Sequence, residues 1–163
     1  MKNYQVSLFG FALMLLIASC KKEDVQVKNT AASTVSSTSQ WKSLTNWSNS
    51  GSDNQATVSS KISDSTITSN VAAGGLVLVF KKSGTDVQSL PFQQDNSKTF
   101  WYYQVSRGSV QINVDDNSAD NLNSQSFSYF VITPEKLSSL EANGKTRLDL
   151  LQLTYEQAAA LLK

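Results

Sequence analysis

The sequence predicts a mainly β, sandwich-like single domain that ends in one short helix. Residues 75–80 (GLVLVF) begin with the second of two adjacent glycines and continue as an uninterrupted apolar run, which is typical of a strand buried on both faces. Along residues 110–114 (VQINV), valine and isoleucine alternate strictly with polar side chains, which indicates one buried and one wet face. Only the last residues of the chain carry clear helical signals. Together these patterns favour a β-rich fold.

The other strands follow from turn residues and β-branched content. Weaker candidates at 55–59 and 66–68 precede a single predicted helical turn at 69–73. The strand at 75–80 is expected to end in the polar segment 81–84 (KKSG). A hairpin is predicted from the strands 100–105 and 109–114 around Ser106-Arg107-Gly108, and the strand 126–133 is closed by Pro134.

The C-terminal helix is predicted from its start signal. Thr154 and Gln157 match a capping box, and Leu153 and Ala158 match its hydrophobic staple. We therefore expect a helix over 155–162, and we expect the leucines at 148–153 that precede it to pack against a sheet.

The N-terminal segment has the order of parts of a bacterial lipoprotein signal. Lys2 is followed by the apolar stretch 6–17, and Ile17-Ala18-Ser19 precedes Cys20, the only cysteine. A helix over 6–19 would reach only about 21 Å, too short for a hydrocarbon core of about 30 Å. We expect residues 1–19 to be removed and Cys20 to be acylated, so that its lipid chains, palmitate among them, anchor the protein in a bilayer.

Composition divides the rest of the chain into a linker and one domain. Residues 20–40 comprise the lipidated cysteine and a flexible Ser/Thr-rich linker, and residues 41–163 are expected to form the β-rich domain. Removing Lys2 from 14 basic side chains leaves 13, against 13 acidic ones, so the mature chain is close to neutral. We therefore expect no nucleic-acid partner.

The chain also resembles small uncharacterised lipoproteins of the Bacteroidota. The resemblance lies in Ser19-Cys20-Lys21-Lys22-Glu23-Asp24, in the stretches 67–80 and 127–133, and in Leu90-Pro91-Phe92. It implies an outer-membrane lipoprotein of the cell envelope, with the outward-facing and periplasmic orientations as alternatives, and it brings no catalytic residues. In that phylum Asp64-Ser65-Thr66 is similar to an acceptor for O-glycosylation at Ser65.

Catalytic motifs are largely missing from the sequence. The chain contains no histidine, which removes the commonest general base, histidine-activated nucleophiles and most zinc sites. Asp115, Asp116 and Asp120 form the densest acidic group, and their oxygens could hold a metal ion or form a carboxylate pair, although their Asn- and Ser-rich surroundings favour a solvated loop. We expect no cofactor and no enzymatic activity.

Aromatic side chains provide the remaining functional signal. On the predicted strand 100–105, Trp101 and Tyr103 point to one side, and Phe100 and Tyr102 point to the other. Trp101 and Tyr103 could form a platform for a glycan, while the alternative is that they pack in the core. We thus expect a non-enzymatic module that binds an envelope protein or has a structural role, with a glycan-binding accessory lipoprotein as the alternative. Exposure of Trp101 discriminates between them.

Overall fold

The computed structural model describes residues 37–38, 40–50, 56–94, 99–115 and 122–162. In chain order, the strands in this part of the chain are β1 (Ser37–Thr38), β2 (Lys42–Ser43), β3 (Ser48–Ser50), β4 (Thr57–Ser63), β5 (Leu76–Ser83), β6 (Asp86–Ser89), β7 (Phe92–Gln93), β8 (Phe100–Ser106), β9 (Ser109–Asp115) and β10 (Ser126–Ile132). The helices are α1 (Ser69–Gly74), α2 (Pro134–Ala142), α3 (Arg147–Leu151) and α4 (Tyr155–Leu162), with a 3₁₀ turn at Leu122–Ser124.

The strands form two antiparallel sheets, so the predicted mainly β fold is confirmed. In sheet A, β1 and β2 pair with two ends of the same edge of β10, and β5 and β6 follow on its other side. In sheet B, the order is β3, β4, β9, β8 and β7. The predicted hairpin is present as β8 and β9, which pair from Phe100 with Asp115 to Ser106 with Ser109. Gly108 lies in its turn with a φ of 78°, a conformation that favours glycine.

The main core lies between the two sheets. Val77, Val79 and Tyr129 from sheet A join Val110 and Ile112 from sheet B in one buried cluster. The predicted inward face of β9 is confirmed, because Val110, Ile112 and Val114 are all fully buried. Its other face is polar but not uniformly wet, since Asn113 is only 2% exposed.

Helices cover the outer face of sheet A. Leu78 and Phe130 point away from sheet B and pack with Leu137, Leu150 and Ala158 of the three C-terminal helices. This second core explains the continuous apolar run in β5, whose residues 77–80 are buried on alternating sides. The predicted packing of the leucines before α4 is confirmed for Leu150, whereas Leu148 is 63% exposed.

Caps define the helices, and two of the helices were not predicted. The predicted capping box at the start of α4 is present. Gln157 N donates to Thr154 Oγ1 over 3.2 Å, and Thr154 N donates to Gln157 Oε1 over 2.9 Å. Pro134 ends β10 as predicted, but it also occupies the first turn of α2 behind the N-cap Thr133. α3 begins after a second capping box, formed by Thr146 and Asp149.

Three other strand predictions need correction. Residues 66–68 are not a strand, because they form a turn and Thr68 caps α1, the predicted helical turn. β5 does not end before the segment 81–84 but continues to Ser83, and a turn through Gly84 (φ 59°) leads into β6. The candidate at 55–59 corresponds to β4, which extends to Ser63.

Gly75 makes the tightest backbone approach among the described glycines. A Cβ at this position would lie 2.5 Å from Ile132 O and 2.9 Å from Val71 O. The residue joins α1 to β5, and its own N–H bonds to Val71 O over 2.9 Å. Only glycine lets α1 pack this closely against the end of β10.

The predicted signal peptide and acylated Cys20 lie outside the described residues. Of the predicted linker, Ser37 and Thr38 form β1, so its last residues pair with sheet A. No helix in the part of the chain described here is long and apolar enough to cross a membrane.

Candidate binding surfaces

Trp101 and Tyr103 of strand β8, the residues predicted as a possible glycan platform, point into the core and not towards solvent. Trp101 is 4% exposed and packs in the core between the sheets, 5.9 Å from the ring centroid of Phe127. Tyr103 packs against the same core and donates its hydroxyl to Val77 O over 2.6 Å. Burial raises the pKa of Tyr103 to about 12. A glycan platform built from Trp101 and Tyr103 is therefore excluded, because their rings fill the space between the two sheets.

The other aromatic pair of β8 faces solvent. Phe100 is 40% exposed, and its ring stacks on the half-buried Tyr102 with a centroid distance of 5.6 Å and an interplanar angle of 22°. Tyr102 directs its hydroxyl towards Asp115 Oδ1, 3.4 Å away, and the same oxygen accepts a hydrogen bond from Thr57 Oγ1 over 2.6 Å. We call the surface formed by Phe100, Tyr102, Asp115 and Thr57 the aromatic face.

The aromatic face is polar around its two rings. Gln111 and Asn113, in the neighbouring strand β9, bond to each other through Gln111 Nε2 and Asn113 Oδ1 over 2.9 Å. Asn113 itself is buried, so the polar groups that reach the surface beside the stacked rings are those of the partly exposed Gln111, Asp115 and Thr57. This combination can bind a ligand that has both an apolar surface and several hydroxyl groups.

The acidic group proposed as a metal site is only partly described. Asp115 is the last residue of β9 and accepts a hydrogen bond from Thr57 Oγ1. Asp116 and Asp120 lie outside the described residues. No cluster of three or more metal-ligating side chains occurs within the described ranges.

A second surface lies along the free edge of sheet A. A groove of about 380 Å³ runs beside β6, lined among others by Val87, Gln88, Phe92, Gln152 and Tyr155. It lies between the corner that joins β6 to β7 and the segment that leads into α4. We call it the edge groove. This groove was not predicted from the sequence, because β6 and β7 are short and polar and the groove wall before α4 depends on tertiary packing.

The backbone of β6 leaves hydrogen-bonding groups unpaired beside this groove. Leu90 N donates to Val79 O over 2.9 Å, and bonding alternates along an antiparallel ladder. Asp86 and Gln88 therefore direct their backbone groups towards β5, whereas Val87 and Ser89 direct theirs away from the sheet. None of the four residues of β6 is buried. An extended chain can reach these outward groups.

Among the described residues, Lys81 is a charged residue whose side chain is largely buried beside aromatic rings of the inter-sheet core. It is 7% exposed, and its Nζ lies 4.8 Å from the ring centroid of Trp101 and 5.4 Å from that of Phe92. Burial lowers the pKa of Lys81, an effect that the negative charge of Asp86 partly opposes. The sequence placed Lys81 at the polar end of a strand, so its burial could not be read from the pattern.

Ser65 lies exposed in the turn after β4, at the position proposed for O-glycosylation. The preceding Asp64 accepts hydrogen bonds from Thr66 Oγ1 over 2.7 Å and from Tyr129 OH over 2.7 Å. Burial alone would raise the pKa of Asp64, but these hydrogen bonds and the charge of Lys42 outweigh it and lower the pKa. Asp64 thus fixes the turn to sheet A and leaves Ser65 accessible.

Comparisons with known proteins found no match for this chain among protein-family models, curated proteins or solved structures. The surfaces described above therefore carry the functional argument.

Proposed function

We propose that this protein is a membrane-anchored lipoprotein of the cell envelope whose β domain binds a protein partner and has no catalytic role. Acylated Cys20 anchors it in the outer membrane, as in the Bacteroidota lipoproteins that it resembles. The order of charged, apolar and small residues before Cys20 supports the anchor. The single observation that supports partner binding is the unpaired outer edge of β6 beside the edge groove.

The partner contributes an extended segment that adds to sheet A as a further strand. Val87 and Ser89 offer their outward backbone groups at alternate positions, which is the spacing of an added strand. Main-chain hydrogen bonds supply affinity in this mode of recognition, and side-chain pockets supply specificity. The edge groove, with Phe92 and Tyr155 among its lining residues, provides such a pocket.

Site-specific crosslinking in intact cells tests the partner site. A photo-reactive residue at Asp86, exposed in β6, should give one adduct of defined mass, whereas the same residue at Asn49, exposed in the edge strand β3, should not. Val87→Pro should abolish the adduct and leave the hydrogen bonds between β6 and β5 in place, because the N–H that it removes points away from β5. Val87→Thr retains that N–H and should retain the adduct. An adduct from Asn49 alone, or one that survives Val87→Pro, contradicts the proposal.

The anchor has its own test. Wild-type protein should incorporate labelled palmitate, and Cys20→Ala should not, because acylation needs the cysteine sulfur. Equal labelling of the two proteins contradicts lipidation at Cys20.

Glycan binding is a second candidate function, which the exposure of Phe100 and Tyr102 favours. These two stacked rings and the polar groups around them form an open surface. Full-length protein in detergent should be titrated with neutral polysaccharides by calorimetry. If the candidate holds, Phe100→Ala and Tyr102→Ala each weaken binding, while Gln104→Ala, exposed further along β8, leaves it unchanged. Absence of saturable binding to any glycan contradicts this candidate and leaves the protein partner.

A further inference from the structure

The edge groove has two walls that lie on opposite faces of sheet A. On one face, Val87, Leu153 and Tyr155 pack with the second core beneath the helices, and we call them the helix wall. On the other face, Phe92 packs against the core between the sheets. Gln88 shares that face, because successive side chains of β6 point to opposite sides, and we call Gln88 and Phe92 the β7 wall. A strand added to β6 therefore meets the two walls with alternate side chains.

The helix wall is apolar and held in place. The Tyr155 ring lies 5.0 Å from the ring centroid of Trp41, 5.5 Å from that of Phe80 and 5.4 Å from that of Phe130. Tyr155 is nevertheless only half-buried, so part of its surface faces the groove. A ring that is already fixed loses little freedom when a ligand binds. The helix wall is thus a preformed surface for a second aromatic ring, which can pack on it edge-to-face or offset.

The groove itself carries no formal charge. Among the described residues that line it, none is a lysine, arginine, aspartate or glutamate, and Gln88, Gln93 and Gln152 supply amide groups. A charged side chain that entered this groove would lose hydration without gaining a counter-charge. The volume of about 380 Å³ lies within the range of about 300–1,000 Å³ that is typical of ligand pockets. The groove therefore favours large, uncharged side chains.

We propose that the segment bound at β6 is uncharged and has the pattern aromatic, polar, aromatic. This inference rests on the proposed strand addition. Residues that lie opposite each other in an antiparallel pair share one face of the sheet, so the side chains opposite Val87 and Ser89 project towards the helix wall. The side chain between them, opposite Gln88, projects towards the amide-bearing β7 wall. The aromatic side chains thus meet Tyr155, and the neutral polar one meets Gln88.

Three blocked heptapeptides of serine and threonine test this pattern. The first carries phenylalanine at its third and fifth positions, the second carries it at the third and fourth, and the third carries lysine at the third and fifth. The amide resonances of Val87 and Ser89 in full-length protein in detergent report binding. The first peptide should shift them saturably, bind about tenfold or more tightly than the other two, and move the ring resonances of Tyr155.

A charge placed on the groove should change this preference. Gln152 lines the groove beside Leu153 and is exposed, so Gln152→Glu adds a negative charge there with little change of shape. The variant should bind the lysine peptide about two- to fivefold more tightly than wild type does. Gln104→Glu is the matched control, because Gln104 is exposed on sheet B and its replacement should leave the affinity unchanged.

The contrary outcomes separate this pattern from strand addition itself. Equal affinities for the three peptides, with shifts at Val87 and Ser89, overturn the pattern and leave strand addition in place. The pattern is also overturned if no peptide binds while the crosslinked adduct at Asp86 still forms in cells, whereas loss of both removes the proposed function too. Shifts of the Phe92 ring without shifts of Tyr155, or equal effects of Gln152→Glu and Gln104→Glu, contradict the assignment of the walls.

Discussion

The outer faces of the two sheets differ in what covers them. On sheet A, Leu78 and Phe130 lie beneath three helices and are 3% and 1% exposed. On sheet B, the corresponding face carries the half-buried Gln111 and Tyr102 and the 40% exposed Phe100, although Asn113 on the same face is 2% exposed. The difference indicates that the outer face of sheet A belongs to a second core, whereas the outer face of sheet B around Phe100 is open to solvent.

The largest expected effect compares two phenylalanines on these outer faces. Phe130→Ala should lower the free energy of unfolding by about 3–5 kcal/mol, because it opens a cavity beneath the helices. Phe100→Ala should cost under about 1 kcal/mol, because its ring is already partly in water. Urea denaturation of the two variants measures the difference. Equal losses would show that the two outer faces are packed alike.

A smaller difference is expected between two neighbouring glycines at the entry to sheet A. Gly75→Ala should destabilise the protein by about 1–3 kcal/mol, because the new methyl group would collide with Ile132 O and Val71 O. Gly74→Ala meets only Pro134 carbons at 3.6 Å or more, and it should be neutral or slightly stabilising at the end of α1. Thermal unfolding followed by circular dichroism compares the two. A Gly75→Ala variant as stable as Gly74→Ala would contradict the close approach.

The contact between the sheets should weaken in alkali. Tyr103 has a pKa raised to about 12 by burial, whereas an unfolded tyrosine titrates near 10. A raised folded-state pKa contributes stability fully below the unfolded pKa and loses it as the pH rises towards the folded value. Between about pH 9 and about pH 11, the titration of Tyr103 should lower the free energy of unfolding by about 1 kcal/mol.

Tyr103→Phe isolates that contribution. The variant loses the hydrogen bond to Val77 O at every pH, but its stability should fall less steeply between these two pH values. An identical slope in the variant and the wild type would contradict the burial of the Tyr103 hydroxyl.

The smallest expected effect concerns the helix layer. Thr154→Ala should cost about 1 kcal/mol, since it removes the acceptor of the Gln157 N–H at the start of α4. Thr154→Ser keeps a hydroxyl and should restore most of the stability. Chemical denaturation measures both variants, and no loss in Thr154→Ala would contradict a contribution of the cap.

Local patterns predicted the parts of the fold that depend on neighbouring residues. The β8–β9 hairpin, the inward face of β9 and the start of α4 follow from turn chemistry, period-2 alternation and a capping box. α2 was not predicted, because Pro134 was interpreted only as a residue that ends a strand. Proline is also favoured in the first turn of a helix, where it lies in this protein.

The candidate surfaces were harder to predict because they depend on which way a strand faces. The alternation in FWYYQV separates Trp101 and Tyr103 from Phe100 and Tyr102, but it does not say which pair is inside. Pairing of β8 with β9 decides this, since Trp101 lies opposite the buried Val114. The unpaired edge of β6 likewise arises from sheet order, which no local pattern contains.

Amide hydrogen exchange at β6 tests the central claim most directly. In purified full-length protein, the account predicts rapid exchange at Val87 and Ser89 and slow exchange at Gln88 and Leu90, because only the latter pair directs its N–H groups to β5. The proposal places a partner in the cell envelope, so in membranes prepared from the source cells Val87 and Ser89 should become protected. Slow exchange at Val87 and Ser89 in the purified protein, or continued rapid exchange in the membranes, would contradict the account.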